Sequence, residues 1–397
     1  MNKLKLSILG ACAALVAGSA NAENTFYDLG STKVLAINDL NKAVGYELAE
    51  VGAKLWKTAI VVDVEQGTKN FLIAPMTNRN SIAQDINNNG DIVISVIDTS
   101  KLLLFHGIFL NNNTAIPLQN LPNGNAHDFE LNNNGSVIGR SASNGVLWNS
   151  PDNPQLITSV IFGHSDLTNF VNGFNDYNQM VGQIGFGGSG PTRAVYYTDD
   201  MKPVDIGHGF SWANKSMAID INNNGQILAT GLGPEGGRRS FIWEDGKVST
   251  LKSDGDQAAA YAINDHGIAV GLQYLKPDTD SPYYNDFQGE AVMWDGHNQY
   301  KLNDYLDHDS KDAGWVLVTA TDINNNGWVI GEAYNTITKE FHSYVLSTDE
   351  MLSPIPEPST YLMLLAGLGL LGWRRLSSMV ETHLKKQEQE QVPMILE

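Results

Sequence analysis

Apolar and polar residues alternate along most of residues 25–347, in runs too short for helices and matching the period of a strand with one buried face. The runs are joined by one recurrent phrase. It reads Ala36-Ile37-Asn38-Asp39, Asp85-Ile86-Asn87-Asn88-Asn89-Gly90, Leu131-Asn132-Asn133-Asn134-Gly135 and Gly173-Phe174-Asn175-Asp176. It continues as Asp220-Ile221-Asn222-Asn223-Asn224-Gly225, Ala262-Ile263-Asn264-Asp265-His266-Gly267 and Asp322-Ile323-Asn324-Asn325-Asn326-Gly327. Asn and Gly accept the positive φ of a tight reversal, and Asn-Gly between alternating runs is a strong hairpin signal. Each phrase therefore predicts the end of one strand, a turn and the start of the next.

The first Asn of the phrase falls at 38, 87, 132, 175, 222, 264 and 324, with gaps of 49, 45, 43, 47, 42 and 60 residues. A second phrase, an apolar strand ending near an aromatic residue, accompanies it: Ser240-Phe241-Ile242-Trp243, Ala291-Val292-Met293-Trp294 and Gly145-Val146-Leu147-Trp148. A glycine turn and a short strand follow, as in Asp245-Gly246 and Lys247 to Leu251. One unit is four short strands in about 45 residues. Seven such units predict an all-β, seven-bladed β-propeller of four-stranded blades. A β-solenoid usually has shorter coils, and two sandwiches would not keep one register over this length. Thr25 to Gly30 matches the second strand of a unit and Phe341 to Leu346 the first, so the N- and C-terminal strands are expected to close one shared blade. The blade tryptophans and tyrosines are read as filling the space between blades, with stacking on sugars as the alternative.

Together, the phrases resemble the HAF-type extracellular repeat family over about residues 25–347: an aromatic strand, a glycine turn, a Leu-containing strand, then Ile-Asn-x-x-Gly-x-x-Val-Gly. The resemblance implies an extracellular location and no defined reaction.

Both ends carry addresses. Lys3 and Lys5, the apolar run Leu6 to Ala17, and Ala20-Asn21-Ala22 form a secretory signal over residues 1–22, with Ala20 and Ala22 at the cleavage site. A lipobox at Leu9 to Cys12 is the rival; its apolar run before the cut is only about four residues. Cleavage after Ala22 removes the single Cys, so the mature chain has no thiol. At the other end Pro356, Glu357, Pro358, Ser359 and Thr360 precede an apolar stretch, Tyr361 to Trp373, and then Arg374 and Arg375. The stretch is short for a span of about 20 residues, and the arginines would hold it from the cytoplasmic side. The order over 354–375 resembles the PEP-CTERM sorting signal of Gram-negative bacteria; an ordinary C-terminal anchor is the alternative. The resemblance implies transient parking in the inner membrane, cutting near the Pro-Glu-Pro box by an exosortase, and release to the cell surface or outside, often where exopolysaccharide is made. Unlike the family pattern, 22 residues follow Arg375. The expected organisation is a signal peptide at 1–22, a propeller at 23–350, a linker with the Pro-Glu-Pro box at 351–358, a membrane and sorting segment at 359–375, and a polar tail at 376–397.

Charge narrows the partners. The chain has 25 basic and 44 acidic groups. Setting aside two Lys in the leader, and four basic and four acidic groups in 359–397, leaves 19 against 40, a net of −21. Nucleic acid is therefore not an expected partner.

Candidate chemistry is sparse. Asp85, Asn87 and Asn89, Asp220, Asn222 and Asn224, and Asp322, Asn324 and Asn326 match the first half of an EF-hand loop. Calcium is thus the one cofactor candidate. The twelfth position, which needs a bidentate Glu, is Val96, Gly231 or Ala333, and the flanks are strands, so hydrogen bonding within Asx turns is the simpler role. No nucleophile elbow or zinc-binding His motif is present. Gly185 to Gly190 lacks the Lys of a phosphate loop, and Asp278, Asp280 and Asp286 read as loop solvation. The expected function is that of an exported, non-enzymatic propeller with a structural or adhesive role, in contact with exopolysaccharide. The alternatives are a carbohydrate-acting hydrolase and a calcium-dependent binding module on the same scaffold. A convergent pocket of carboxylates in the channel would favour the enzyme, and a bare channel the scaffold.

Overall fold

A computed structural model describes residues 25–348, apart from 74–75, 101–103, 122–124, 142–143, 158–167, 186–191, 208–214, 233–237, 254–256, 275–288 and 297. These residues form seven four-stranded antiparallel sheets, a seven-bladed β-propeller. The first six blades span 33–71, 79–117, 126–156, 168–205, 216–250 and 258–301. The seventh takes three strands from 315–347, and its outer strand is Phe26–Asp28. Phe26, Tyr27 and Asp28 pair with Leu346, Val345 and Tyr344, so the two ends share a blade as the terminal half-repeats predict.

The core lies between blades. Val34, Ile37 and Ile60 of the first blade pack with Trp328, Ile330 and Val345 of the seventh, and Tyr27 and Leu29 cover them. Trp148 and Trp294 are fully buried. Their indole N–H groups donate to the carbonyls of Gln119 (2.8 Å) and Lys252 (2.6 Å), which follow the outer strand of the preceding blade. These two tryptophans fill and pin blade interfaces.

The innermost strand of each blade carries a β-bulge just before its turn, at Val34/Ala36, Ala83/Asp85, His127/Glu130, Val171/Gly173, Ala218/Asp220, Ala260/Ala262 and Ala320/Asp322. A bulge re-aims side chains and sharpens twist. It also explains the glycine of the Val-Gly pair in the next strand. A Cβ on Gly45, Gly182, Gly271 or Gly331 would sit 1.9–2.0 Å from the carbonyl oxygen of Lys33, Phe170, Ala259 or Thr319. The bulged strand lies too close for any side chain there.

The 60-residue gap before the last repeat also has a structural component. A 3-10 turn, Leu302–Tyr305, and a short helix, His308–Asp312, connect the sixth and seventh blades. Asp307 caps the helix by accepting from the Ser310 N–H at 2.6 Å, and its backbone hydrogen bonds hold its carboxyl below the usual range.

Candidate functional site

The seven Asn turns gather at one mouth of the central channel, and each residue of the phrase has its own task. The first Asn is buried in every blade. Its Oδ1 accepts from the backbone N–H two and four residues on, as Asn222 does from Asn224 (3.1 Å) and Gln226 (2.9 Å). Its amide donates to the carbonyl of the first Asn in the next blade: Asn38 to Asn87, Asn87 to Asn132, Asn132 to Asn175, Asn175 to Asn222, Asn222 to Asn264, Asn264 to Asn324, and Asn324 back to Asn38. These distances run from 2.8 to 3.1 Å and close a ring.

The second position makes another ring. Each backbone N–H there donates to the side-chain Oδ1 of the same position in the next blade, through Asp39, Asn88, Asn133, Asp176, Asn223, Asp265 and Asn325. Carboxylates and amides are interleaved, so no two of the three Asp are neighbours. Asn223 donates to the Oδ2 of both Asp176 and Asp265 at 3.0 Å, and Asn325 to those of Asp39 and Asp265 at 3.1 Å. The third Asn, where present, also crosses the interface. Asn89, Asn134, Asn224 and Asn326 donate to the carbonyls of Asn133, Asp176, Asp265 and Asp39. The turn closes with Gly at φ between 77° and 83° in five blades, whereas Asn41 (54°) and Asn178 (59°) take that conformation in the first and fourth.

Below the turns, the bulge points a carboxyl into the channel in four blades: Asp85, Glu130, Asp220 and Asp322, two residues before the first Asn. Ala36, Gly173 and Ala262 occupy the same position elsewhere. Each of the three Asp spans an interface. Asp85 Oδ2 accepts from the Leu131 N–H at 2.7 Å, Asp220 from Ile263 at 2.9 Å and Asp322 from Ile37 at 2.9 Å. Each Oδ1 accepts from the N–H of the following residue at 2.8 Å. The carboxyls keep some contact with the channel interior while protein surrounds them on all sides. Burial pushes Asp85 and Asp322 up to about 7 and raises Asp220 and Glu130, and the neighbouring carboxyls add to each shift. Arg140 opposes the rise at Glu130. Its guanidinium lies 4.2 Å over the Phe170 ring, donates to Asn172 Oδ1 at 3.1 Å and approaches Asp128 at 3.5 Å. Asp128 is held at φ 55° on the bulge. The channel encloses about 600 Å³.

The calcium candidates are thus divided among three tasks. Asp85, Asp220 and Asp322 line the channel; Asn87, Asn222 and Asn324 sit in the first ring; Asn89, Asn224 and Asn326 reach the next turn. Among the described residues no group of three or more His, Cys, Asp or Glu side chains is placed to hold a metal ion. Sequence reading missed Glu130, Arg140 and the second ring. Aligning the repeats two residues before the first Asn would have found Glu130. Ala20, Ala22, Pro356, Glu357, Pro358, Ser359, Thr360, Arg374 and Arg375 lie outside the described residues, as do 278–286 and 186–190. Among the described residues no helix is long and apolar enough to cross a membrane.

Residues 354–376 match the PEP-CTERM protein-sorting motif. The motif marks the chain for export with a transient membrane stage and processing by an exosortase-type enzyme. No curated protein matches the sequence. Among solved structures, the β-propeller domain of the Trilobed protease from Pyrococcus furiosus, described as having an open velcro topology, is similar at 10% identity and a TM-score of 0.53, covering 83% of this chain and all of that one. Acylaminoacyl peptidase from Pyrococcus horikoshii is similar at 11% identity and a TM-score of 0.49, covering 79% of this chain and 52% of that one. Oligogalacturonate lyase from Vibrio parahaemolyticus is similar at 9% and 0.49, covering 84% and 100%. At these identities the likeness concerns the fold alone.

Proposed function

We propose that the chain is an exported, non-enzymatic β-propeller with a structural or adhesive role at the cell surface or in the extracellular matrix, where exopolysaccharide is its partner. The sorting motif at 354–376, downstream of a complete propeller, carries this reading. A leader at 1–22, cut after Ala22, delivers the chain to the membrane. The motif then parks it there, with Arg374 and Arg375 as the stop and Pro356, Glu357 and Pro358 as the box read by the processing enzyme. The resemblance of the repeats to those of HAF-type extracellular proteins fits this reading. The convergent carboxyls Asp85, Glu130, Asp220 and Asp322 in the channel are the feature that favours the alternative, a carbohydrate-acting hydrolase on the same scaffold; against it, both oxygens of Asp85, Asp220 and Asp322 accept from backbone N–H groups, one within the strand and one across the interface.

The test is the mass of the protein in culture supernatant and membrane fractions, with and without Glu357→Ala. The expected result is a released form lacking everything after the Pro-Glu-Pro region, lost in the variant. An intact, membrane-held form in both would overturn the sorting step.

A further inference from the structure

Each of the three channel Asp takes two backbone N–H groups, one from the next residue of its own strand and one from the next blade. The N–H given across the interface belongs to Leu131, Ile263 or Ile37. A carboxyl on the residue just before one of these has thereby lost its own-strand donor. In the first and sixth blades that residue is Ala36 or Ala262, and no polar group is left unmet. In the third blade it is Glu130. Its carboxyl lines the channel and accepts no hydrogen bond among the described residues. The fold asks for no more than Ala at this place, and an enclosed carboxyl without donors costs stability. Glu130 is left over for something that enters the channel.

The wall around Glu130 departs from the seven-fold pattern in the same arc. Asp128 is the one residue of the seven inner-strand bulges at positive φ, a conformation that costs a side chain energy and gathers at binding sites. It turns its carboxylate to Arg140 at 3.5 Å and His127 at 3.0 Å. Arg140 is pinned by Asp128, Asn172 and the Phe170 ring, and its Nε still has no partner. Gln84 gives its Oε1 to the Phe129 N–H and keeps its amide hydrogens unpaired. Blades two to four thus present an acceptor at Glu130 beside donors at Gln84 and Arg140. The arc of blades five, six and one presents carbon instead, from Met217, Ile219, Tyr261 and Leu35, each only half-buried.

Donors beside an acceptor suit a hydroxyl, which does both; an ammonium only donates and a carboxylate only accepts. Eight carboxyls and one Arg line the channel, so an acidic ligand is repelled. A sugar ring carries hydroxyls at its edge and C–H groups on its faces, which matches one polar and one apolar arc. The volume of about 600 Å³ falls within the range of about 300–1,000 Å³ that small-ligand pockets occupy.

We propose that the channel is a binding site for a neutral sugar, in which Glu130 accepts from its hydroxyls, Gln84 and Arg140 donate to them, and Ile219 and Tyr261 face its C–H surface. The inference rests on exopolysaccharide being the partner and assigns where a unit of that polymer is held.

The test is titration calorimetry of the purified full chain with maltotriose, mannotriose and galactotriose, and with trigalacturonate and the chitosan trimer as the acidic and amine-bearing counterparts. At least one neutral trisaccharide should bind and trigalacturonate should not. Glu130→Ala should weaken the binding by about tenfold or more. The melting temperature of Glu130→Ala should equal or exceed that of the unaltered chain, because an unpaired carboxyl is removed where two other blades already carry Ala. A clear fall in melting temperature would make Glu130 a residue of the fold and sink the proposal. So would binding of no neutral trisaccharide, or binding that Glu130→Ala leaves intact. Tighter binding of the chitosan trimer would replace the hydroxyl by an ammonium as the group recognised, and equal binding of trigalacturonate would refute the selection by charge. Co-sedimentation with polymer from the producing cells separates the two levels. Polymer binding that survives Glu130→Ala would keep the adhesive role and remove the channel from it; trisaccharide binding without polymer binding would keep the channel site and remove the adhesive role.

Discussion

At the residue scale, what distinguishes this ring is the division of labour within Asn-Asn-Asn-Gly. The first Asn binds its own turn and the neighbouring one, the second joins the interleaved ring, and the third reaches across the interface. The interleaving of the second position is electrostatic sense: Asn223 lies between Asp176 and Asp265 and donates to both. Asn223→Asp would put three carboxylates in a row and remove both donations. We expect a loss of about 2–4 kcal/mol at low ionic strength, partly regained in about 1 M salt, which screens the added repulsion. Chemical denaturation by urea at the two salt concentrations checks this; equal losses at both would mean that charge is not the cause. The Asx-turn role of the first Asn was legible in the sequence, but the cross-blade roles were not, because those partners lie 41 to 60 residues away or, at the seam, 286 or 287. The turn itself was legible, since Asn and Gly at positive φ are a local demand.

At the element scale, the bulge in each inner strand organises both sides of the blade. It aims Asp85, Glu130, Asp220 and Asp322 into the channel, and it presses a backbone carbonyl against the next strand. The period-2 pattern predicted the strands and missed the bulges, because one extra residue slips the inward face without altering composition. The Val-Gly pair was the visible trace. At Gly271 an added Cβ would meet the Ala259 carbonyl oxygen at 2.0 Å and the Ala260 Cα at 2.7 Å, and both are backbone atoms. Gly271→Ala should therefore cost about 2–4 kcal/mol, as overpacking against backbone that cannot move aside. Gly246 has open space around it at φ 80°, so Gly246→Asn should be nearly neutral. Thermal melts of the two variants separate crowding from loss of conformational freedom.

At the scale of the whole molecule, seven blades and the shared last blade were legible because the repeat phrase marks each blade and the two ends carry complementary halves. The outer strand Phe26–Asp28 covers an edge that would otherwise be open, and Tyr27 stacks on Trp328 with ring centroids 5.5 Å apart. Tyr27→Ala should lower stability by about 2–3 kcal/mol. Limited proteolysis should then cut first within the last blade; an unaltered cleavage pattern would argue against the seam as the weak point.

That seam also sets a timetable. The Thr25 N–H donates to Ser347 Oγ, a contact between residues 322 apart in sequence. Blades one to six can each form from neighbouring hairpins, but the seventh lacks a strand until both ends of the chain meet. Bringing together ends so distant carries the largest chain-entropy penalty in the molecule, and contacts of this kind form slowly. We therefore expect the docking of three residues, Phe26 to Asp28, to be a late step of folding. Until it happens, the strand Phe341–Ser347 offers its free backbone to any passing chain, so aggregation during refolding should grow with protein concentration and fall when that strand is capped.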